Sequence, residues 1–244
     1  MLPDLVALRR RLSAGPIDSR TALAEAAVLY RAVSRPATPG PARHEPRGAA
    51  IGVLAEPETL TSFDTPDAAS RFAGAVRQGT GVTPRVDSRV LGIRHRHEMH
   101  FVLAPPESHA AVLTALAGGW RAASAAVSVT PVALGTPAAR RAPITAAAIW
   151  RALLLTTTPV RNAAGLRLRM RDTDLLALAV RSAQVLGVAT RARASSGLGV
   201  LCVDEQESVN RLLERLLPRI PGQRRPLTAA RTTGLPVRRL TAVG

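Results

Sequence analysis

The sequence predicts an α/β protein of the α+β kind: two pseudo-symmetric units in tandem, each running helix, two strands, helix, two strands, helix, with antiparallel sheets. Three observations carry this. Residues 166 to 171 read Leu-Arg-Leu-Arg-Met-Arg, so as a strand they place Leu166, Leu168 and Met170 on one face and Arg167, Arg169 and Arg171 on the other. The order of elements recurs: Gly81-Val82-Thr83-Pro84-Arg85 parallels Gly187-Val188-Ala189-Thr190-Arg191, and Glu107-Ser108 parallels Glu207-Ser208. Each unit is also led by a helix rich in small residues, Ala24 and Ala27 in one and Ala147 and Ala148 in the other, as two closely approaching helices require.

In the first unit, the spacing of Leu23, Ala27 and Tyr30 predicts a helix over 20–33, capped by Asp18 or Ser19. Its prolines make 35–47 a loop. Strands are expected at 49–54 and 58–63. Asp64-Thr65-Pro66-Asp67 opens a helix to about Gln78, with proline in the first turn and acids at the positive end of its dipole. Residues 82–91 and 99–103 form a hairpin with its tip at 92–98, and Pro105-Pro106-Glu107 starts a helix to about Leu116. The second unit repeats this with a helix at 145–155, a strand at 165–170, a helix from Asp172 to near Gly187, strands at 188–194 and 198–203, and a helix from Asp204 to Leu216. The implied organisation is an N-terminal segment (1–19), a first repeat (20–117), an Ala/Pro/Thr-rich connector (118–143), a second repeat (144–217) and a basic flexible tail (218–244).

With 244 residues, 46% of them apolar, the chain can bury a real core. All 33 basic residues are arginine, a bias that fits a GC-rich genome, yet codon bias does not explain 33 bases against 17 acids. The net charge of +16 calls for a phosphate-bearing partner, and nucleic acid is the commonest. Aromatics make up only 2%, which argues against a single-strand binder that stacks bases. The lone Cys202 excludes an internal disulfide and reads as a buried small residue. No run reaches the ~18 apolar residues of a membrane span, and Arg9-Arg10-Arg11 is not followed by a signal-peptide core. The expected location is the cytoplasm, on the nucleoid.

Thr190-Arg191-Ala192-Arg193-Ala194 repeats the alternation of 166–171. Antiparallel pairing of these two segments would gather Arg167, Arg169, Arg191 and Arg193 on one exposed face, where only an anion relieves the crowding. In the first unit, Arg85, Arg89, Arg94 and Arg96 play the same part. In the cluster Arg94-His95-Arg96-His97-Glu98-Met99-His100, His95 and His97 share a strand face, but the count of ligands falls short of a metal site. The tip is either a solvated turn or a phosphate contact that His95 strengthens below about pH 6.5. Short glycine pairs such as Gly197-Leu198-Gly199 are turns, no Walker lysine exists, and no Ser, His and Asp stand at a catalytic spacing. No cofactor is implied.

Residues 147–155, 166–171, 175–187, 192–194, 200–203 and 207–216, with 64–76 and 82–103, resemble the LAGLIDADG homing-endonuclease fold, and within it the WhiA family of sporulation and cell-division regulators of Gram-positive bacteria. The likeness covers about residues 20 to 217. It implies a basic saddle over duplex DNA and a transcription-regulating role. Active homing endonucleases end each leading helix in a metal-binding acid, whereas the matching ends here are Ala32-Val33-Ser34-Arg35 and Leu155-Thr156-Thr157-Thr158. Without those oxygen ligands no nuclease activity and no bound metal are expected. The family's C-terminal helix-turn-helix domain has no counterpart in 218–244, and a regulatory protein partner would be the substitute. Three other readings stand beside this one: a degenerate LAGLIDADG-fold interaction module that docks an acidic protein, a residual nuclease, and a helix-turn-helix within 172–195.

Overall fold

A computed structural model describes residues 5–34, 58–92, 96–128, 136–157, 160–162, 165–195 and 198–217. The expected strand at 49–54, the side chains of Arg94 and His95, and the segment 218–244 lie outside these residues. The described elements, in chain order, are α1 (Leu5–Ala14), α2 (Ala22–Val33), β1 (Thr59–Phe63), α3 (Pro66–Thr80), β2 (Arg85–Leu91), β3 (His97–Leu103), α4 (Pro106–Val127), α5 (Pro137–Thr156), β4 (Val160–Asn162), β5 (Gly165–Met170), α6 (Thr173–Val185), β6 (Arg191–Ser195), β7 (Leu198–Val203) and α7 (Gln206–Leu216). Two antiparallel sheets result, with strand orders β1-β3-β2 and β4-β5-β7-β6. Apart from the short β4, the second order repeats the first.

The duplication is visible in the backbone as well. Both α3 and α6 run into a glycine in the left-handed region, Gly81 at φ 78° and Gly187 at φ 67°, from which the chain turns toward β2 and β6. Such a residue closes a helix by releasing the backbone into a conformation that costs a side chain strain. At the centre, α2 packs along α5, with Ala24, Ala27 and Ala148 buried, so the small-residue helices meet as their composition requires. One continuous apolar core joins the two halves and includes Phe63, Phe72, Trp150, Leu168 and Leu201. Trp150 is fully buried in it.

Several boundaries differ from the sequence expectation. Asp18 does not cap α2: its carboxylate accepts from the Arg20 amide at 2.8 Å in the preceding turn, and Thr21 holds the N-cap position. The N-terminal segment contains α1, whose Leu8 and Leu12 are buried. Much of the stretch read as a connector at 118–143 is helical, since α4 continues to Val127 and α5 begins at Pro137. Alanine is the strongest helix former, and Pro137 sits at the helix start where its missing N–H costs nothing. Pro143, at the end of the expected connector, is accommodated inside α5. Among the described helices, α4 alone is long and apolar enough to cross a membrane; its stripe Val112, Leu116, Gly119, Ala123 and Val127 is buried, and it packs along α2 and α5.

A buried charge cluster ties the halves together. Glu25 of α2 accepts from Arg71 of α3 at 2.7 and 3.1 Å and from Arg151 of α5 at 3.1 Å. The remaining donors of Arg71 reach the carbonyls of Ser13, Gly15 and Pro16, where α1 ends. A fully buried guanidinium keeps its charge only with such a complete set of acceptors.

Candidate nucleic-acid interface

In the second sheet, β7 lies between β5 and β6. The expected direct pairing of the two arginine strands is therefore replaced: each runs antiparallel to β7, and they run parallel to one another. Strand order within a sheet is set by connections and by burial, and alternation within a strand carries no trace of it. Register still delivers the shared face. Arg167 and Arg191 both stand opposite Cys202, and Arg169 and Arg193 both stand opposite Val200. Directly opposed residues project to the same side of a sheet, so all four arginines share one face.

The other face is apolar and covered. Leu166, Leu168, Met170, Leu201 and Val203 alternate with the arginines, are buried, and meet α6 and α7. Burying each such side chain stabilises by roughly 1.5–3 kcal/mol, which holds the strand in this register and leaves the arginines no alternative but solvent. Arg167, Arg169, Arg191 and Arg193 are exposed. From strand geometry, the two arginines of one strand are about 7 Å apart and the two strands about 10 Å apart. Repulsion between unit charges ~7 Å apart in water is about 0.6 kcal/mol, tolerable but unrelieved unless an anion settles there. One acid lies close: Asp204 stands 3.6 Å from Arg191, both exposed, a pair worth little. Arg167, Arg169 and Arg193 make no ion pair among the described residues. Cys202 is buried within this face.

The first sheet is less cationic than its arginines suggest. Arg85, Asp87 and Arg89 share the β2 face opposite Leu103, Phe101 and Met99. Arg89 is tied to Asp87 at 2.9 Å, and its guanidinium lies 5.3 Å from the centre of the Phe101 ring. Among the described residues, this strand therefore offers one unneutralised charge, at Arg85. Arg96 is exposed just before β3; Arg94 and His95 lie outside the described residues. His97 is exposed, whereas His100 points to the opposite face and is buried with its Nδ1 2.7 Å from the Ser88 hydroxyl.

Arginines also occupy the ends of the two central helices. Arg9 of α1 donates to the carbonyls of Thr157 at 2.8 Å and Leu154 at 3.4 Å, closing the C-terminus of α5. Arg31, in the last turn of α2, lies 4.2 Å from the Trp120 ring, pairs with Asp172 and reaches Asp174 at 2.7 Å. The bond to Asp172 raises the Arg31 pKa. Burial alone would raise Asp172, but the Arg31 guanidinium and the amides of Leu175 and Asp174 outweigh it and hold the carboxyl below its ordinary value. That carboxylate also caps α6, as its place before the helix predicts. Among the described residues, no three His, Cys, Asp or Glu side chains cluster to hold a metal. The Glu25 cluster escaped sequence reasoning, although a carboxylate amid Ala24, Ala26, Ala27, Val28 and Leu29 signals a buried charge in need of partners.

No family profile and no curated protein matches the chain. Solved structures do. The full-length DUF199/WhiA protein of Thermotoga maritima superposes with a TM-score of 0.51 at 11% identity, over 87% of this chain and 61% of that one. The N-terminal LAGLIDADG domain of DUF199/WhiA gives 0.51 at 12% identity, over 90% and 93%. The homing endonuclease I-DmoI, solved in complex with DNA and Mn, gives 0.44 at 10% identity over 82% and 99%. The chain thus spans about three fifths of the full-length WhiA protein, and what it shares with the WhiA structures at this identity is the fold: a LAGLIDADG-like α+β architecture of two repeats.

Proposed function

We propose that this chain is a non-catalytic protein that binds duplex DNA through the arginine face of its second sheet, in a regulatory role of the WhiA type on the bacterial nucleoid. One observation carries the reading: two separate strands, held in register by β7, present Arg167, Arg169, Arg191 and Arg193 together on one exposed face, with Asp204 beside Arg191 as the one ion-pair partner among the described residues. Arg85 and Arg96 extend the contact from the first repeat. Backbone phosphates are the target, so sequence preference is slight and salt dependence steep. The LAGLIDADG-like fold supports this reading. Transcriptional control of sporulation or cell division is the role that the WhiA likeness adds.

The test is a mobility-shift titration of random duplex DNA at several salt concentrations. Six phosphate contacts predict an affinity loss on the order of a thousandfold between about 50 and 200 mM salt. The variant Arg167→Ala/Arg169→Ala/Arg191→Ala/Arg193→Ala removes four contacts and flattens the log–log slope by about 3.6 at ~0.9 per phosphate. A folded quadruple variant with the wild-type slope overturns the assignment of the face. Supercoiled plasmid incubated with magnesium stays intact; nicking overturns the non-catalytic part.

A further inference from the structure

Four strand edges border the two sheets, and three of them carry features that discourage pairing with another chain. β4 has three residues, β1 has a register irregularity between Thr59 and Thr61, and β6 carries Arg191 and Arg193. The fourth, β2, is seven residues long, keeps unbroken register with β3 from Arg85 to Leu91, and has no strand on its outer side among the described residues. Its valines are left in solvent, Val86 at 38% and Val90 at 64% exposure. A long, regular edge with exposed β-branched residues is a template for strand addition.

We infer that β2 pairs antiparallel with β2 of a second copy of this chain, about a two-fold axis through Ser88. The sequence of the strand, Arg-Val-Asp-Ser-Arg-Val-Leu, selects the partner and the register. With Ser88 opposite Ser88, Val86 meets Val90 twice on one face, and Asp87 meets Arg89 twice on the other. Shifting the axis to Asp87 opposes two carboxylates and sets Arg85 against Arg89; shifting it to Arg89 opposes two guanidiniums. Opposite charges directly across a strand pair stabilise it and like charges destabilise it, so among the registers that pair five or more residues of the strand, the one centred on Ser88 alone is self-complementary. The ion pair that Asp87 and Arg89 already make within the strand shows that both groups lie on one face and within reach of each other. A two-fold axis perpendicular to the sheet keeps like faces on the same side, so the first sheets of two copies merge into one six-stranded sheet. An interface of two short strands falls below ~1,000 Å², the class of weak, transient association.

Sedimentation velocity of the DNA-free chain over about 5 to 500 µM tests this. The wild type passes from monomer to dimer in that range. Asp87→Arg and Arg89→Asp each create like-charge pairs across the axis and stay monomeric. An equimolar mixture of the two restores both attractive pairs and forms heterodimers, and the double variant Asp87→Arg/Arg89→Asp dimerises as the wild type does. Circular dichroism verifies that each variant is folded. Val90→Lys, at a solvent-exposed site on the opposite face, supplies an independent arm and is monomeric. A wild type that stays monomeric throughout, single variants or Val90→Lys that associate like the wild type, or a mixture of folded singles that fails to associate overturns the pairing.

Discussion

Replacing Glu25 by alanine removes the carboxylate that balances two guanidiniums inside the protein. The side chain of Arg71 is 1% exposed and that of Glu25 is 0%, while Arg151 keeps 17% of its surface in water. In Glu25→Ala, Arg71 retains three backbone carbonyls and no countercharge. Leaving one member of a buried pair uncompensated costs about 3–5 kcal/mol, against a total stability of roughly 5–15 kcal/mol for a domain. At ~2 kcal/mol per molar urea, the unfolding midpoint followed by far-ultraviolet circular dichroism falls by about 1.5–2.5 M. Arg151→Ala is the internal comparison. It leaves the two bonds from Arg71 to Glu25, at 2.7 and 3.1 Å, in place and removes a partly solvated partner, so its midpoint falls by less than half as much. A loss under about 1 kcal/mol for Glu25→Ala, or equal losses for the two variants, would refute the idea that burial of Arg71 makes this carboxylate indispensable.

Asp172→Asn keeps a residue able to cap α6 but removes the charge facing Arg31, lowering stability at neutral pH by about 1–2 kcal/mol in thermal melts. Since the Asp172 carboxyl is held below its ordinary value of 3.8, its contribution is in place above about pH 4 and disappears as pH falls through the lowered value. Wild type and Asp172→Asn therefore converge in acid; a stability difference unchanged down to about pH 2 contradicts the pairing. In α4, adjacent glycines behave oppositely. A β-carbon at Gly119 falls 2.4 Å from the Leu23 carbonyl oxygen of α2, so Gly119→Ala pushes the helices apart and costs about 1–3 kcal/mol. At Gly118 nothing lies within 4 Å, and Gly118→Ala stabilises by about 0.4–1 kcal/mol in the same urea titration.

Much of the fold could be read directly from residue order because local chemistry dictates it. Leu166 to Arg171 cannot be a helix that buries its leucines together, and as a strand it can show solvent only its arginines. The glycines at 81 and 187 mark equivalent turns because no other residue closes a helix there without strain. What could not be read was set by partners remote in sequence. Nothing in residues 166–195 announces that β7, still to come in the chain, inserts between the two arginine strands. Asp87 lies between Arg85 and Arg89 in plain view, yet its neutralising effect depends on the strand period that puts the three on one face. Alanine and threonine at 118–143 suggest a linker, whereas α4, packed against α2, runs on to Val127 and α5 begins at Pro137. Glu25 and Arg71, 46 residues apart, are joined only in three dimensions.

The clasp of Arg9 on the end of α5 orders events during synthesis. The bonded residues are 148 positions apart, so at about 5–20 residues per second the ribosome needs roughly 7–30 s after making the first helix to make its anchorage. Until then α1 packs on α3 without the α5 contact that completes the cover of Leu8 and Leu12. A helix made early is thus secured late, and a nascent chain halted before residue 157 lacks the carbonyl that α1 is fastened to.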